Sequence, residues 1–306
     1  MQTTFSLSDG TQIPCIGFGP GILCYSAKYT ESSRNKLVDF TYRAYRKFVS
    51  RPLASIDYID SISNALCVGF RLLDYSAAYG NMKYIGKAIR KSGVGRENII
   101  LTSRVGNRAQ VEHKVREEFF QSLKQLQTDY IDILQFHWPV TNAYLNTWDE
   151  MLKLKNEGYV RVLGVANCHK HHIEALIAHN GEKPLINQIE VHPLFSQKPL
   201  ISYCKSENIQ VEAYTPIARY DDRLVRLPLL KKLENKYHKN FVQIILRWHI
   251  QNGVIPVIRS LSKRHQLQNI EIFDFELSPK DMKLLDSVNI NSRLRYDPDN
   301  CDFSIL

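Results

Sequence analysis

The stretch GFRLLDYSAAYG, residues 69–80, joins a short apolar run to a loop of small residues. Phe70, Leu72 and Leu73 predict a buried strand that delivers Asp74 at its end, and the loop then presents Tyr79. A phenol has an ordinary pKa of about 10, and a cation beside it lowers that pKa, so that the phenol can donate a proton near neutral pH. A buried aspartate that caps a turn, with a tyrosine on the rim, explains the same residues equally well. The rest of the chain has to decide between these two interpretations.

The composition is typical of a soluble globular protein, with 306 residues, 44% of them hydrophobic, and a formal net charge of +9. This length suits either two domains or one α/β barrel of about 250 residues with insertions. No apolar run approaches the roughly 18 residues of a membrane span, and the first ten residues lack the apolar centre of a signal peptide. The basic residues are scattered, without a dense block or a nucleic-acid-binding motif. We therefore expect neither a nucleic-acid nor a membrane partner.

The six cysteines show no CxxC pair and no spacing typical of a small disulfide scaffold. They are predicted to be mostly small buried apolar residues in a reducing compartment, so we expect a cytoplasmic protein.

Apolar runs alternate with helical patterns along the chain, which indicates repeated βα units and a parallel sheet. Before them, an Asp-Gly turn between residues 3–7 and 11–15 predicts a β-hairpin. Eight parallel strands close a barrel, so the predicted fold class is α/β, a (β/α)8 TIM barrel with an N-terminal β-hairpin and extra helices, as a single domain over residues 1–306. The eight strands are predicted over residues 16–19, 70–73, 99–103, 131–136, 160–164, 185–189, 210–213 and 254–257. Amphipathic helices are predicted over residues 111–126, 144–157, 225–237 and 241–252.

The connection over residues 21–63 is far longer than a usual βα loop and is rich in Tyr, Arg and Lys. Long connections of this kind are usually lids or binding segments. We expect it to be partly helical and to fold over the site.

Polar or aromatic side chains stand at the C-terminal ends of seven consecutive predicted strands. In a barrel of this type the chemistry gathers at those ends. Core packing does not require such a series, whereas a functional rim does. The residues are Asp74, Arg104, His137, Asn167, Gln188, Tyr214, and Arg259 with Ser260.

Several short motifs, taken in this order, resemble the aldo-keto reductase family over nearly the whole chain. IPCIGFG resembles the opening strand of the family, and GFRLLDYSAAYGN resembles its GFRxxDTAxxYxN signature; FHWP, NQIEVHP and AYTP then follow at barrel spacing. The tail RYDPDNCDF is most similar to that of bacterial members such as the diketogluconate reductases. The resemblance implies hydride transfer between NADPH (NADP+) and a small carbonyl substrate. We expect the protein to act as a monomer.

The resemblance also assigns catalytic roles. Tyr79 would donate the proton to the carbonyl oxygen, Asp74 would hold the cation that lowers the pKa of Tyr79, and Arg104 would be that cation. His137 would orient the carbonyl, and Trp138 would be the pocket aromatic. A ketone that gains hydride develops alkoxide charge, which a tyrosine and an imidazole can both stabilise. Alone, His137 is better explained as a satisfied core histidine; within FHWP a functional role is favoured.

Cofactor contacts follow from the same resemblance. Asn167 and Gln188 correspond to partners of the nicotinamide carboxamide, and Tyr214 to the aromatic that stacks on the ring. An arginine forked onto phosphate is a strong and directional contact, so Arg259 with Ser260 favours NADPH over NADH, although a solvated basic loop is the alternative. The predicted cofactor-binding residues are Gly19, Asn167, Gln188, Tyr214, Thr215, Ile217, Arg259, Ser260, Arg264, Gln268 and Asn269.

Arg104 stands where the family has lysine, and a guanidinium is larger, planar and more diffuse in charge than an ammonium. Three alternatives stay open: a working reductase tuned by arginine, a slow enzyme, or a silent member that binds the cofactor in a regulatory role. A barrel enzyme for phosphorylated sugars, with Arg259 at its phosphate site, is a further alternative. Quenching of tryptophan fluorescence by NADPH tests this last one, and NADPH consumption over a carbonyl panel separates enzyme from regulator.

Gly106 stands where many members have tryptophan, so we expect a wider pocket.

The sequence HKHH, residues 169–172, suggests a metal ligand set. No cysteine or carboxylate at ligand spacing completes it, so we predict no metal site.

Overall fold

A closed barrel of eight parallel strands forms the centre of the computed structural model, which describes residues 3–23 and 51–303. The last strand pairs with both its predecessor and the first, which closes the barrel. The strands are β3 (Gly17–Phe18), β4 (Leu72–Asp74), β5 (Ile100–Val105), β6 (Ile131–Phe136), β7 (Val160–Ala166), β8 (Ile186–Glu190), β9 (Gln210–Tyr214) and β10 (Val254–Ile258). All eight fall where the alternating pattern predicts them, and the predicted fold class is confirmed.

An antiparallel hairpin precedes the barrel, with β1 (Thr4–Ser6) paired to β2 (Gln12–Pro14). It forms at the predicted Asp-Gly turn, where Gly10 takes a φ of 87° that glycine adopts without steric cost. Leu7 and Ile13 of the hairpin region pack on apolar side chains inside the barrel and close its N-terminal end. Those barrel residues are Leu72, Ile133, Val162, Ile186 and Ile255.

Helices cover the outside of the barrel, because parallel strands need both faces buried. They are α1 (Arg51–Val68), α2 (Met82–Ser92), α3 (Asn107–Val111), α4 (Val115–Leu126), α5 (Tyr144–Asn156), α6 (Lys170–Asn180), α7 (Lys198–Ser206), α8 (Asp222–Val225), α9 (Pro228–Tyr237), α10 (Phe241–Gln251), α11 (Lys263–Ile270) and α12 (Pro279–Asp286). Among the described residues, none of these helices is both long and apolar enough to cross a membrane.

Two of the predicted helices are divided. The predicted helix over residues 111–126 begins only at Val115, because His113 takes a φ of 54°, which no right-handed helix can include. The predicted helix over residues 225–237 restarts at Pro228, since proline lacks the N–H and its ring clashes with the preceding turn. The predictions for residues 144–157 and 241–252 are each confirmed to within one residue.

The long connection predicted over residues 21–63 is described only at its two ends. Residues 24–50 lie outside the described residues. The expectation that the connection folds over the site concerns those residues and stays a prediction. At the described ends, the backbone oxygen of Gly21 accepts hydrogen bonds from Tyr58 Oη at 2.8 Å and from Asn81 Nδ2 at 2.9 Å. These bonds fasten helix α1 and the start of α2 to the end of the first barrel strand. The single-domain prediction over residues 1–306 stays a prediction.

The C-terminal tail, which we define as residues 291–303, crosses the barrel rim. The carboxylate of Glu190, at the end of β8, accepts the backbone N–H of Leu294 at 2.6 Å and that of Arg295 at 2.9 Å. Farther along, the ring of Phe303 lies 6.4 Å from that of Trp138. The tail is thus bonded to the end of β8, and its Phe303 lies near an aromatic of the FHWP motif.

Candidate active site

A cavity of about 850 Å³ opens at the C-terminal ends of the barrel strands. The four predicted catalytic residues all contribute to its wall, together with Trp138 and most of the predicted cofactor residues. The predicted residues in the wall are Gly19, Asp74, Tyr79, Arg104, His137, Trp138, Asn167, Gln188, Tyr214, Thr215, Ile217, Arg259 and Ser260.

Local structure explains how Asp74 and Tyr79 reach this cavity. Asp74 is the last residue of β4 and is buried, so its carboxylate is fixed by the strand. A single turn of 3-10 helix, Ala77–Tyr79, then turns the chain back, and Gly80 ends it with a φ of 63°. Tyr79 is half-buried, and its ring lies edge-on to that of His137, with centroids 5.7 Å apart and planes at 79°.

The guanidinium of Arg104 binds Asp74 through both of its terminal nitrogens. Nη1 donates to Oδ1 and Nη2 donates to Oδ2, each at 2.7 Å. Nη1 also donates to Oε1 of Gln188 at 2.6 Å. The Arg104 side chain is only 3% exposed, so this is a buried, bidentate, charge-assisted pair. Nε of Arg104 has no hydrogen-bond partner within the part of the chain that the structure describes.

A second acidic residue, Glu212, lies below this pair inside the barrel. Its Oε2 accepts from Nε2 of Gln188 at 2.9 Å and from Nε2 of Gln135 at 3.2 Å. Gln188 also donates to Oδ1 of Asp74 at 2.9 Å, and so links the two carboxylates. Sequence analysis did not predict Glu212 or Gln135, although a charge within the apolar run of β9 was a visible signal. The network places one guanidinium, two glutamines and two carboxyl groups in the barrel interior.

Burial and charge pull the pKa values of this network in different directions. Burial raises the pKa of the Asp74 carboxyl, and Arg104 works against that rise. Burial also raises the pKa of Glu212 to about 7, and the charge of Asp74 adds to the effect. For Arg104, burial alone would lower the pKa, but the neighbouring Asp74, Tyr79 and Glu212 raise it overall. Tyr79 and Arg104 line the same cavity.

His137 follows β6 and is held in its neutral form. Burial lowers its pKa to about 3, and the positive charges of Arg104 and Arg295 lower it further. Its Nδ1 lies 3.4 Å from Oγ of Ser76, and its backbone oxygen accepts from Nδ2 of Asn167 at 2.9 Å. A neutral imidazole can donate a hydrogen bond from one ring nitrogen while the other accepts one.

The amides predicted to hold a nicotinamide carboxamide are engaged with protein groups in this structure. Asn167, which takes a φ of 60°, accepts from Oη of Tyr214 at 2.7 Å, and its Nδ2 is bonded to His137 as described above. Both ends of the Gln188 amide are likewise bonded to protein groups, since its oxygen accepts from Arg104 and its nitrogen donates to Asp74 and Glu212. A ligand that used either amide would have to exchange one of these bonds.

The other predicted cofactor residues divide into two groups. Arg259 is exposed at the edge of the cavity, and Ser260 beside it is fixed because its backbone oxygen accepts from Oγ of Ser61 at 3.0 Å. Arg264, Gln268 and Asn269 lie on α11 and do not contribute to the cavity wall. Their role in binding stays a prediction. Gly106 is also absent from the wall, so the predicted widening of the pocket stays a prediction as well.

The wall also contains residues that the sequence did not predict, and three of them are charged or aromatic: Arg219, Tyr220 and Arg295. Arg219 and Tyr220 follow β9 in a segment where Ala218, Arg219 and Tyr220 all have positive φ, at 49°, 53° and 60°. Among the described residues, the wall contains four arginines, Arg104, Arg219, Arg259 and Arg295, and one acidic residue, Asp74. A wall with this charge balance favours an anionic ligand.

The HKHH sequence gains a carboxylate that its spacing did not indicate. Asp299 of the C-terminal tail, 130 residues beyond His169 along the chain, lies beside the three histidines. The distances to its carboxylate oxygens are 2.8 Å from Nδ1 of His169, 3.1 Å from Nε2 of His171 and 3.5 Å from Nε2 of His172. The expectation that no carboxylate completes the set is therefore wrong, because it considered only residues nearby in sequence.

Comparison with known proteins agrees with the fold. The model of the aldo/keto reductase family matches residues 50–290. The glyoxal reductase of Bacillus subtilis is 38% identical over 244 residues, which cover 80% of this chain and 88% of the relative. Methylglyoxal reductase DkgA of Escherichia coli is 35% identical over 246 residues, covering 79% and 88%. A crystal structure of a Bombyx mori aldo-keto reductase in complex with NADP, 29% identical, superposes with a TM-score of 0.81 over 98% of this chain and 96% of that one.

The chain belongs to the aldo/keto reductase family. By class it is an oxidoreductase, and the resemblance that its motifs indicated is confirmed.

Proposed function

We propose that this protein reduces a small aldehyde or ketone to an alcohol with NADPH, with Tyr79 as the proton donor. The observation that carries the proposal is the shared position of Tyr79 and His137, which meet edge to face at 5.7 Å in the cavity that also contains the Arg104–Asp74 pair. A phenol and a neutral imidazole side by side are the two donors that a carbonyl oxygen needs as it gains negative charge.

The residues of the cavity fit a dinucleotide cofactor. Arg259 and Ser260 at the cavity edge suit a phosphate, and Tyr214 offers an aromatic face deeper inside. The excess of arginine in the wall suits the negative charge of NADPH. A relative of known structure binds NADP. When bound, NADPH would supply the hydride that reduces the carbonyl carbon.

The protein's own part in the reaction is to place and protonate the oxygen. His137 donates a hydrogen bond that orients the carbonyl, and Tyr79 gives its hydroxyl proton to the oxygen as the carbonyl π electrons move there. Arg104, in the wall of the same cavity, stabilises the negative charge left on the phenol. Asp74 holds the guanidinium in place through two bonds.

For the substrate we propose small dicarbonyl compounds. The relatives named glyoxal reductase and methylglyoxal reductase support this class. A second carbonyl oxygen next to the reacting one would find a donor among the cavity arginines, such as Arg295 of the tail.

A second candidate, a silent member that binds NADP(H) without turnover, is favoured by one observation. The terminal nitrogens of Arg104 donate to Asp74 and Gln188, and among the described residues no hydrogen bond joins Arg104 to Tyr79. A lysine in this position would present a single charge with freer orientation.

The test is steady-state NADPH consumption with glyoxal and methylglyoxal, alongside tryptophan fluorescence quenching by NADPH and NADH. Trp138 in the cavity wall provides the fluorescence signal. Tyr79→Phe should lower kcat at least about hundredfold while the Kd for NADPH stays the same. Tyr203→Phe, on the outer helix α7, is the matched control and should change neither. Full turnover in Tyr79→Phe would reject the proton-donor assignment, and quenching without turnover in the wild type would support the silent candidate.

A further inference from the structure

We propose that His169, His171 and Asp299 form a binding site for a divalent transition metal such as Zn²⁺, which would fasten the C-terminal tail to helix α6. The site lies outside the active-site cavity and is independent of the proposed reductase function.

The geometry of the donor atoms carries this inference. One ligand atom from each of His169, His171, His172 and Asp299 lies within 4.8 Å of all the others. A zinc ion with bonds of about 2.0 Å holds tetrahedral ligand atoms roughly 3.3 Å apart. Nδ1 of His169 and Nε2 of His171 are already 2.8 and 3.1 Å from the carboxylate oxygens, so an ion could enter with small side-chain movements.

The hydrogen bonds of the ring nitrogens decide which histidines can bind the metal directly. Nδ1 of His172 accepts the backbone N–H of His169 at 3.1 Å, so Nε2 carries the proton and points at Asp299. We therefore infer that His169 and His171 bind the metal. His172 instead donates a hydrogen bond to the carboxylate of Asp299. Such hydrogen bonds to a ligating carboxylate fix its orientation and strengthen the site. A fourth position is left for water.

Arg293 competes with the metal at His169. Its Nη2 donates to Nε2 of His169 at 3.3 Å, which places the ring proton on Nδ1, the nitrogen assigned to the metal. Metal binding would move that proton to Nε2 and release Arg293, which can still pair with Asp297 and stack on Phe195. Removing this donor should therefore strengthen binding.

The donor set selects the class of ion. Two imidazoles and one carboxylate suit Zn²⁺, Ni²⁺, Co²⁺ or Cu²⁺. Ca²⁺ and Mg²⁺ require mostly oxygen ligands and should not bind here. A metal at this position would join α6 to the same tail that places Arg295 in the cavity and Phe303 against Trp138.

The experiment uses the untagged full-length chain after removal of metals with a chelator. Calorimetric titration with Zn²⁺ and visible absorption with Co²⁺ should show one equivalent bound with a Kd near or below about 10 μM. His171→Ala, at an exposed position, and Asp299→Asn should each weaken binding at least about tenfold, because each removes a ligand. His179→Ala on the same helix, whose ring pairs with Asp149, is the matched control and should bind normally. Arg293→Met should bind more tightly than the wild type.

The contrary results are equally defined. Binding that survives both His171→Ala and Asp299→Asn, or no binding at about 100 μM Zn²⁺, would overturn the site. A thiolate charge-transfer band with Co²⁺ would also overturn it, since that band requires a cysteine ligand. Hydrogen exchange provides the test for the tail: Zn²⁺ should slow exchange in residues 291–303 of the wild type but not of Asp299→Asn. Unchanged exchange in the wild type would reject the fastening of the tail.

Discussion

Arg104 and Asp74 face each other on neighbouring strands of the barrel and share two parallel hydrogen bonds of 2.7 Å, one to each carboxylate oxygen. A guanidinium can also bind Gln188 at the same time, as it does here at 2.6 Å, whereas an ammonium cannot match this planar arrangement. The site is built around the shape of arginine as well as its charge.

Arg104→Lys should therefore reduce activity. We expect kcat to fall about tenfold and the free energy of unfolding to fall by about 2 kcal/mol, because a buried carboxylate oxygen and the Gln188 amide lose their donors. Steady-state kinetics and urea unfolding measure the two effects. Arg116→Lys is the matched control, since Arg116 binds Glu157 with the same two-bond geometry on the surface and should change neither quantity measurably. A rise in kcat for Arg104→Lys would show that arginine is only a poor substitute for lysine.

Glu212 should make the free energy of unfolding decrease as pH rises. Its pKa is raised to about 7 from an ordinary 4.5, so the folded protein holds a proton that the unfolded chain releases. This contribution to the free energy of unfolding is on the order of 3 kcal/mol. It is fully present below about pH 4.5 and is lost as pH rises through about 7. Glu212→Gln removes the titration, so its free energy of unfolding relative to wild type should increase from pH 5 to pH 8.

Urea unfolding at several pH values measures this difference. Glu157→Gln is the control, and its effect on stability near neutral pH should have the opposite sign. The hydrogen bonds to Arg116 lower the pKa of Glu157, so the glutamine variant should lose a little stability near neutral pH. Parallel curves for wild type and Glu212→Gln would mean that Glu212 does not titrate in this range.

His137 should act as a neutral donor at every pH of interest. Because burial lowers its pKa to about 3, it does not become charged between pH 5 and pH 8. His137→Asn should lower kcat/KM by roughly ten- to hundredfold without changing the shape of the pH profile in that range. The quantity to follow is kcat/KM for methylglyoxal as pH is varied. An acid limb present in the wild type and absent in the variant would contradict the neutral assignment.

The same shift has a consequence for stability in acid. A histidine held neutral by burial stabilises the fold above its ordinary pKa of 6.5 and loses that contribution as pH falls toward about 3. The free energy of unfolding of His137→Asn should therefore decrease less than that of the wild type below pH 6.

The fold could be predicted from sequence because its signals are local. The alternation of apolar runs and helical patterns located all eight barrel strands, and the ends of those strands gave Asp74, Arg104 and His137, which line one cavity. Helix divisions at His113 and Pro228 were missed for different reasons. Pro228 was a visible signal that the prediction passed over, whereas the left-handed conformation of His113 has no marker in residue type.

Many residues of the cavity wall could be predicted from the sequence, but the hydrogen bonds between them could not. The sequence identified Arg104 as a departure from the lysine of the family. Its two hydrogen bonds to Asp74, however, depend on the register of β4 against β5 and on side-chain geometry. Glu212 and Gln135 were missed because the direction of a side chain within a barrel strand, toward the interior or the helices, is set by register. Asp299 was missed because it comes from a distant segment that only the folded chain brings to the histidines.

The attachment of the tail to Glu190 separates two tasks within one protein. Asp74 and Arg104 lie on barrel strands, while Arg295 reaches the cavity from a segment whose backbone N–H groups bond to Glu190. These two backbone bonds do not depend on the side chains at their donor positions, so Leu294 and Arg295 can be exchanged while both bonds remain. A substitution at Arg295 would therefore change the charge of the cavity wall and leave the Arg104–Asp74 pair in place.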